Sequence, residues 1–120
     1  MSEINSIFER IKGYYGIIPL IFQTLSRNPD LFEAYFEKSQ ALIVNSLSSN
    51  LSFEEIELIS IGAAAALGSE HCLETHIKIL KDHDIDKEKV FNAILLGSMI
   101  AETSSLSKSL RIFEEVYNRT

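Results

Sequence analysis

SFEEIELISIGAAAALGSEHCLETH, residues 52–76, decides the fold. Ser52 and Glu55 stand at the spacing of a capping box, where each side chain satisfies a backbone amide at the start of a helix. No proline and no strand-like alternation follow, so the spacing predicts a helix over 53–67. Its Gly62-Ala63-Ala64-Ala65-Ala66 run lets a neighbouring backbone approach closely, which makes it the helix expected to be most buried. Gly68 suits a left-handed cap, and Ser69 opens a second helix running to about His83. A turn this short folds the two into an antiparallel hairpin.

Outward from the hairpin, the same grammar repeats. Ile4, Ile7, Phe8 and Ile11 sit at helical spacing between Ser2 and Lys12, and Gly13-Tyr14-Tyr15-Gly16 breaks the pattern. Pro19 suits the first position of a short helix carrying Leu20, Ile21, Phe22 and Leu25. Asn28 caps and Pro29 opens a helix to about Asn45, after which the Ser-rich stretch to Asn50 forms a boundary. Beyond the hairpin, Asp84 can replace glycine in a left-handed turn. Asp86 caps a helix through Val90, Ile94, Leu95 and Met99, and Leu106, Leu110, Ile112, Phe113 and Val116 mark a last one. The expectation is an all-α bundle of about six to seven helices, built as a single domain over 1–120. Tyr14, Tyr15, Phe22, Phe32, Tyr35 and Phe36 are expected in its core or at a subunit interface.

A net charge of −6 with scattered Lys and Arg argues against nucleic acid, whose phosphates need clustered cations. Ile56 to Leu67 and Val90 to Ala101 are the most apolar stretches, and both fall short of the roughly 20 residues that cross a bilayer. No membrane span is expected. Met1-Ser2-Glu3-Ile4-Asn5 lacks the charged start and apolar run of a secretory signal, so a cytoplasmic location is expected. The single cysteine, Cys72, excludes an intramolecular disulfide and fits a reducing compartment.

Cys72 and His76 are four apart and share a face of the second hairpin helix. Cys72 lies in its first turn, where the helix dipole and unpaired amides favour a thiolate, and His76 can take the thiol proton or charge the site. Glu57 lies eleven residues before Gly68 and His76 eight after it. At about 1.5 Å per residue, an antiparallel hairpin places them at heights differing by roughly 4 to 5 Å. A carboxylate among Ile56, Ile59 and Ile61 needs a partner, and His76 is the candidate. Acid, imidazole and thiol then form a proton relay by role. On residue chemistry alone, a lone helical cysteine reads first as a small buried hydrophobe, and the spacing to Glu57 and His76 is what turns the reading toward a site.

Glu57, Ser69, Cys72 and His76 reproduce the spacing E-x11-C-x2-C-x3-H, with Ser69 in place of the first cysteine. In this the chain resembles the AhpD/carboxymuconolactone decarboxylase family. Gly16-Ile17-Ile18-Pro19, Asn28-Pro29-Asp30-Leu31 and Asp86 to Leu95 resemble the starts of family helices, extending the likeness over about 13–115. The resemblance implies an all-helical subunit that assembles into homo-oligomers, trimers or hexamers. It also implies a peroxidase or thiol-disulfide oxidoreductase of peroxiredoxin type, with antioxidant activity, in which Glu57 and His76 activate Cys72. With Ser69 unable to close a disulfide, an external thiol must resolve the oxidised sulfur.

Two other readings stand beside it. One is a cofactor-free lyase of the decarboxylase branch, acting on a small carboxylated substrate through Glu57 and His76, although Leu96 occupies the place expected for that branch's second histidine. The other is a non-catalytic oligomeric member of the family. Ser69 is expected as a helix cap, and His71, about 100° around the helix from Cys72, as a surface or interface residue that shapes access. His83 reads as a solvated helix end. Cys72 and His76 supply two ligands where structural zinc needs four, so no metal or other cofactor is expected.

Overall fold

A computed structural model describes residues 2–119 and contains six α-helices, with no strand among those residues. They are α1 (Ser2–Tyr15), α2 (Leu20–Leu25), α3 (Pro29–Ser48), α4 (Phe53–Leu67), α5 (Glu70–Asp82) and α6 (Lys87–Tyr117). The chain divides into two compact units, residues 1–56 and 57–120.

In the first unit, α1 and α2 both pack on α3. Ile7 and Ile11 from α1, Phe22 from α2, and Phe32 and Phe36 from α3 form its buried core, with Phe8, Tyr15 and Leu25 packed against it. Phe32 is fully buried, its ring centroid 5.3 Å from that of Phe8 and 6.2 Å from that of Phe22. Burying such a side chain contributes about 1.5–3 kcal/mol. Tyr35 of the aromatic set remains partly exposed, and Tyr14 stacks edge-on against Tyr15 and Phe53.

Helix starts follow local side-chain chemistry. Asn28 Oδ1 accepts the Leu31 amide at 3.2 Å, and Asp86 Oδ1 accepts the Glu88 amide at 3.1 Å. At α4 the capping box is complete: the Glu55 amide donates to Ser52 Oγ (3.0 Å) and the Ser52 amide donates to Glu55 Oε1 (2.9 Å). These bonds hold the Glu55 carboxyl below the usual carboxylate range, the backbone bond from Ser52 first.

In the second unit, Ile61 and Ala64 of α4, Ile79 and Leu80 of α5 and Val90 of α6 are buried, with α5 packed on α6. Where α4 meets α6 the backbones touch: a Cβ built on Gly97 would run into the Gly62 carbonyl, 2.8 Å from the Gly62 Cα. The approach requires glycine at position 97, where a Cβ has no room.

Several boundaries differ from expectation. α1 runs through Gly13 to Tyr15, and the chain turns only at Gly16, where φ is +80°. Pro19 is the residue preceding α2 rather than its first, and its carbonyl accepts the amides of Phe22 and Gln23. α3 continues to Ser48 and ends at Asn50 with φ +71°. α4 is not uniformly buried, since Ile59 and Leu67 are exposed. The two expected C-terminal helices are one helix, because no Gly or Pro interrupts the chain after Gly97. Among the described residues α6 is the one helix long and apolar enough, by length and composition, to cross a membrane.

Candidate functional site

The site is organised by the turn between α4 and α5. Gly68 adopts φ +68°, the Gly68 amide donates to the Ala65 carbonyl (3.2 Å), and the Ser69 amide donates to the Ala64 carbonyl (2.9 Å). This paired closure is a Schellman motif, and it suits glycine because a left-handed residue carries no Cβ penalty there. Ser69 occupies the position before α5, as expected of a cap, but its side chain makes no capping hydrogen bond. The first bond of α5 runs from the Leu73 amide to the Ser69 carbonyl at 3.0 Å. Glu70, His71 and Cys72 therefore form the amide-rich first turn, whose N–H groups have no earlier helical carbonyl to meet.

Glu57 and His76 are brought together. Nδ1 of His76 lies 2.5 Å from Oε2 of Glu57, a short contact between a donor ring nitrogen and a carboxylate oxygen. Glu57 is 1% exposed and the His76 side chain 20% exposed. The acid is thus out of water while the imidazole reaches its edge. A carboxylate oxygen accepts, so in this contact Nδ1 donates to Glu57, which fixes the orientation of the ring. Thr75, immediately before His76, is also buried.

Cys72 is exposed and makes no hydrogen bond among the described residues. It stands one helical turn before His76, a spacing that puts Cβ atoms about 5–6 Å apart on one helix face. The structure therefore joins Glu57 to His76 and leaves Cys72 beside them, open to solvent. His71 is exposed, as expected. His83 is tied to its own helix end, Nδ1 donating to the Ile79 carbonyl at 2.8 Å. No group of three or more His, Cys, Asp or Glu among the described residues converges as a metal site.

A cleft of about 710 Å³ opens at the other end of α5, lined by Ile77, Lys81, Ile85, Phe91 and Ile94 among others. Glu57, Cys72 and His76 do not line it. Sequence reasoning expected a close backbone approach at the Gly62 to Ala66 run but missed the residue that makes it, Gly97. A lone glycine in each of two apolar helical stretches is the signal that could have marked their crossing.

Comparison with known proteins bears on what this arrangement is. A family model described as the carboxymuconolactone decarboxylase family matches residues 29–115, which include Glu57, Ser69, Cys72 and His76. The chain is similar to an alkyl hydroperoxide reductase AhpD of Rhodococcus erythropolis, 29% identical over 99 residues, covering 82% of this chain and 46% of that protein. It is also similar to an alkyl hydroperoxide reductase AhpD of Mycolicibacterium smegmatis, 40% identical over 48 residues, covering 40% of this chain and 27% of that protein. The chain thus spans less than half the length of these relatives. No solved structure matches.

Proposed function

The chain belongs to the carboxymuconolactone decarboxylase family, and on that premise we propose that it is an AhpD-like thiol peroxidase working through the single cysteine Cys72. The observation that carries this reading is the buried Glu57 carboxylate held on His76 Nδ1 one helical turn from an exposed thiol. With Nδ1 donating to the Glu57 carboxylate, Nε2 is the His76 ring nitrogen that accepts the Cys72 proton.

The Cys72 thiolate attacks one oxygen of a hydroperoxide, forming an S–O bond as the O–O bond breaks. The alkoxide leaves with the proton returned by His76, giving an alcohol and a Cys72 sulfenic acid. An external thiol then attacks the sulfur, expelling water and forming a mixed disulfide. A second external thiol attacks that disulfide, regenerating the Cys72 thiol and releasing an oxidised disulfide. Peroxide is reduced by two electrons and two thiols are oxidised. Ser69 cannot replace either external thiol.

The test is peroxide consumption with a monothiol reductant, together with trapping by a dimedone-type probe. The expected result is a probe adduct on Cys72, lost in Cys72→Ser and formed more slowly in His76→Ala. An unreactive thiol in folded protein would remove the proposal.

One observation favours a second reading: Glu57 and His76 are joined to each other while Cys72 is bonded to neither. This supports an acid–base lyase acting on a small carboxylated substrate, with Cys72 lining the approach. Turnover of a lactone acid would then survive Cys72→Ser and be abolished by His76→Ala.

A further inference from the structure

On the peroxidase reading, on which this rests, we infer that the thiol which resolves Cys72 is uncharged or cationic, anionic thiols and disulfides being turned away by the charge around the site. None of the chain's 11 Lys and Arg residues falls between Lys38 and Lys78, a stretch that holds Glu54, Glu55, Glu57, Glu70 and Glu74 together with Cys72 and His76. On α6, residues 90–107 carry a single charge, that of Glu102. The cations of the second unit are therefore confined to the span from Lys78 to Lys89 and to the chain from Lys108 onward.

Two carboxylates flank Cys72 on its own helix. Glu70 and Glu74 stand two residues to either side of it and are exposed, as Cys72 is. Neither makes an ion pair among the described residues, and Lys78, one turn past Glu74, makes none either. Two residues are about 200° around a helix and about 3 Å along it, so both carboxylates sit roughly a helix diameter, about 10 Å, from the sulfur. At that range they leave the thiol itself untouched and set the field that a second molecule crosses to reach it. The N-terminus of α5 opposes them with about half a positive charge. Two full negative charges outweigh it.

Two unit charges about 10 Å apart in water interact by an energy comparable with thermal energy. Two carboxylates acting on a doubly charged partner multiply this about fourfold, enough to separate a dication from a dianion by at least about tenfold in rate at low salt. The screening length is about 20 Å in about 20 mM salt and about 4 Å in about 0.5 M, so selection of this kind disappears as salt is added. A preference set by a fitted pocket would persist. Salt dependence therefore separates selection by field from selection by shape.

Thiol–disulfide exchange on the full, reduced chain tests this without peroxide. The Cys72 thiolate attacks one sulfur of a symmetrical disulfide, a new S–S bond forms as the old one breaks, and the other half leaves as a thiolate. The probes are cystamine (a dication), dithiodiethanol (uncharged) and dithiodipropionate (a dianion). Each rate is divided by that of the same disulfide with mercaptoethanol, which removes differences in the leaving group. At about pH 8, above the range in which an ordinary imidazole titrates, cystamine should outrun dithiodipropionate by at least about tenfold in about 20 mM salt and by no more than about twofold in about 0.5 M. Glu70→Gln with Glu74→Gln should cut the low-salt ratio at least about threefold while circular dichroism keeps its helical signal. Glu114→Gln with Glu115→Gln, the same change in charge near the end of α6, should leave the ratio as it is. Equal rates for the three probes at low salt, a preference for the dianion, a ratio indifferent to salt, or equal loss in both double variants would each overturn the charge selection and leave the peroxidase reading standing. A folded chain whose Cys72 reacts with none of the probes would remove the peroxidase reading, and the selectivity with it.

Discussion

His76 and Glu57 face each other across the turn at Gly68, with Nδ1 and Oε2 2.5 Å apart, although nineteen residues separate them in the chain. A buried carboxylate is costly without hydrogen bonds, so this contact belongs to stability as well as to chemistry. A double-mutant cycle with Glu57→Ala and His76→Ala, read by urea denaturation, should give a coupling of about 1–3 kcal/mol. Coupling near zero would mean that the two side chains do not depend on each other in solution.

Ser69 sits three residues before Cys72, ahead of the first turn of α5. A one-turn spacing is compatible with the roughly 4.4–6.8 Å between Cα atoms that a disulfide spans. Ser69→Cys should therefore oxidise within one chain, losing two hydrogens by intact mass. If the peroxidase reading holds, its turnover should also become less dependent on the concentration of a monothiol and accept a dithiol reductant.

Gly62 and Gly97 make opposite demands on a methyl group. At Gly97 a Cβ meets the Gly62 backbone, whereas at Gly62 its nearest neighbour is the Ala93 carbonyl at 3.4 Å. Gly97→Ala should destabilise by about 1–3 kcal/mol or more, despite a gain of about 1 kcal/mol in helix propensity. Gly62→Ala should stay within about 1 kcal/mol of wild type, as measured by chemical denaturation.

The capping box gives a pH signature. Glu55 has its carboxyl lowered in the folded protein by bonds from Ser52, so it binds protons more weakly folded than unfolded. Its contribution is present above the unfolded value and is lost as pH falls through the folded one. Ser52→Ala should lower the melting temperature near pH 7, and the gap from wild type should narrow in acid. An unchanged gap across that range would show that the Glu55 bond carries none of the effect.

Signals whose hydrogen bonds close within a few residues can be read from sequence. Ser52 and Glu55, Gly68, and Asp84, which does adopt φ +56°, are of this kind. Elements decided by packing cannot. α1 passes through Gly13 although glycine costs about 1 kcal/mol in a helix, with Tyr15 beyond it packed near Phe22 at 6.2 Å. α6 continues through Glu102-Thr103-Ser104-Ser105, where apolar periodicity lapses but nothing forbids a helix. In the candidate site, the register of the hairpin foretells that Glu57 meets His76. It does not foretell where Sγ of Cys72 points, because side-chain torsions are not written in spacing.

The left-handed residue at Gly68 acts as a phase reference for two helices. Glu57 and His76 meet because each is counted from that point by a set number of residues, at about 100° of rotation per residue. Adding one residue on either side would swing one of the pair a quarter turn away with every contact partner still present. The count of residues between the acid and the imidazole is therefore the quantity that any insertion or deletion in this hairpin must preserve.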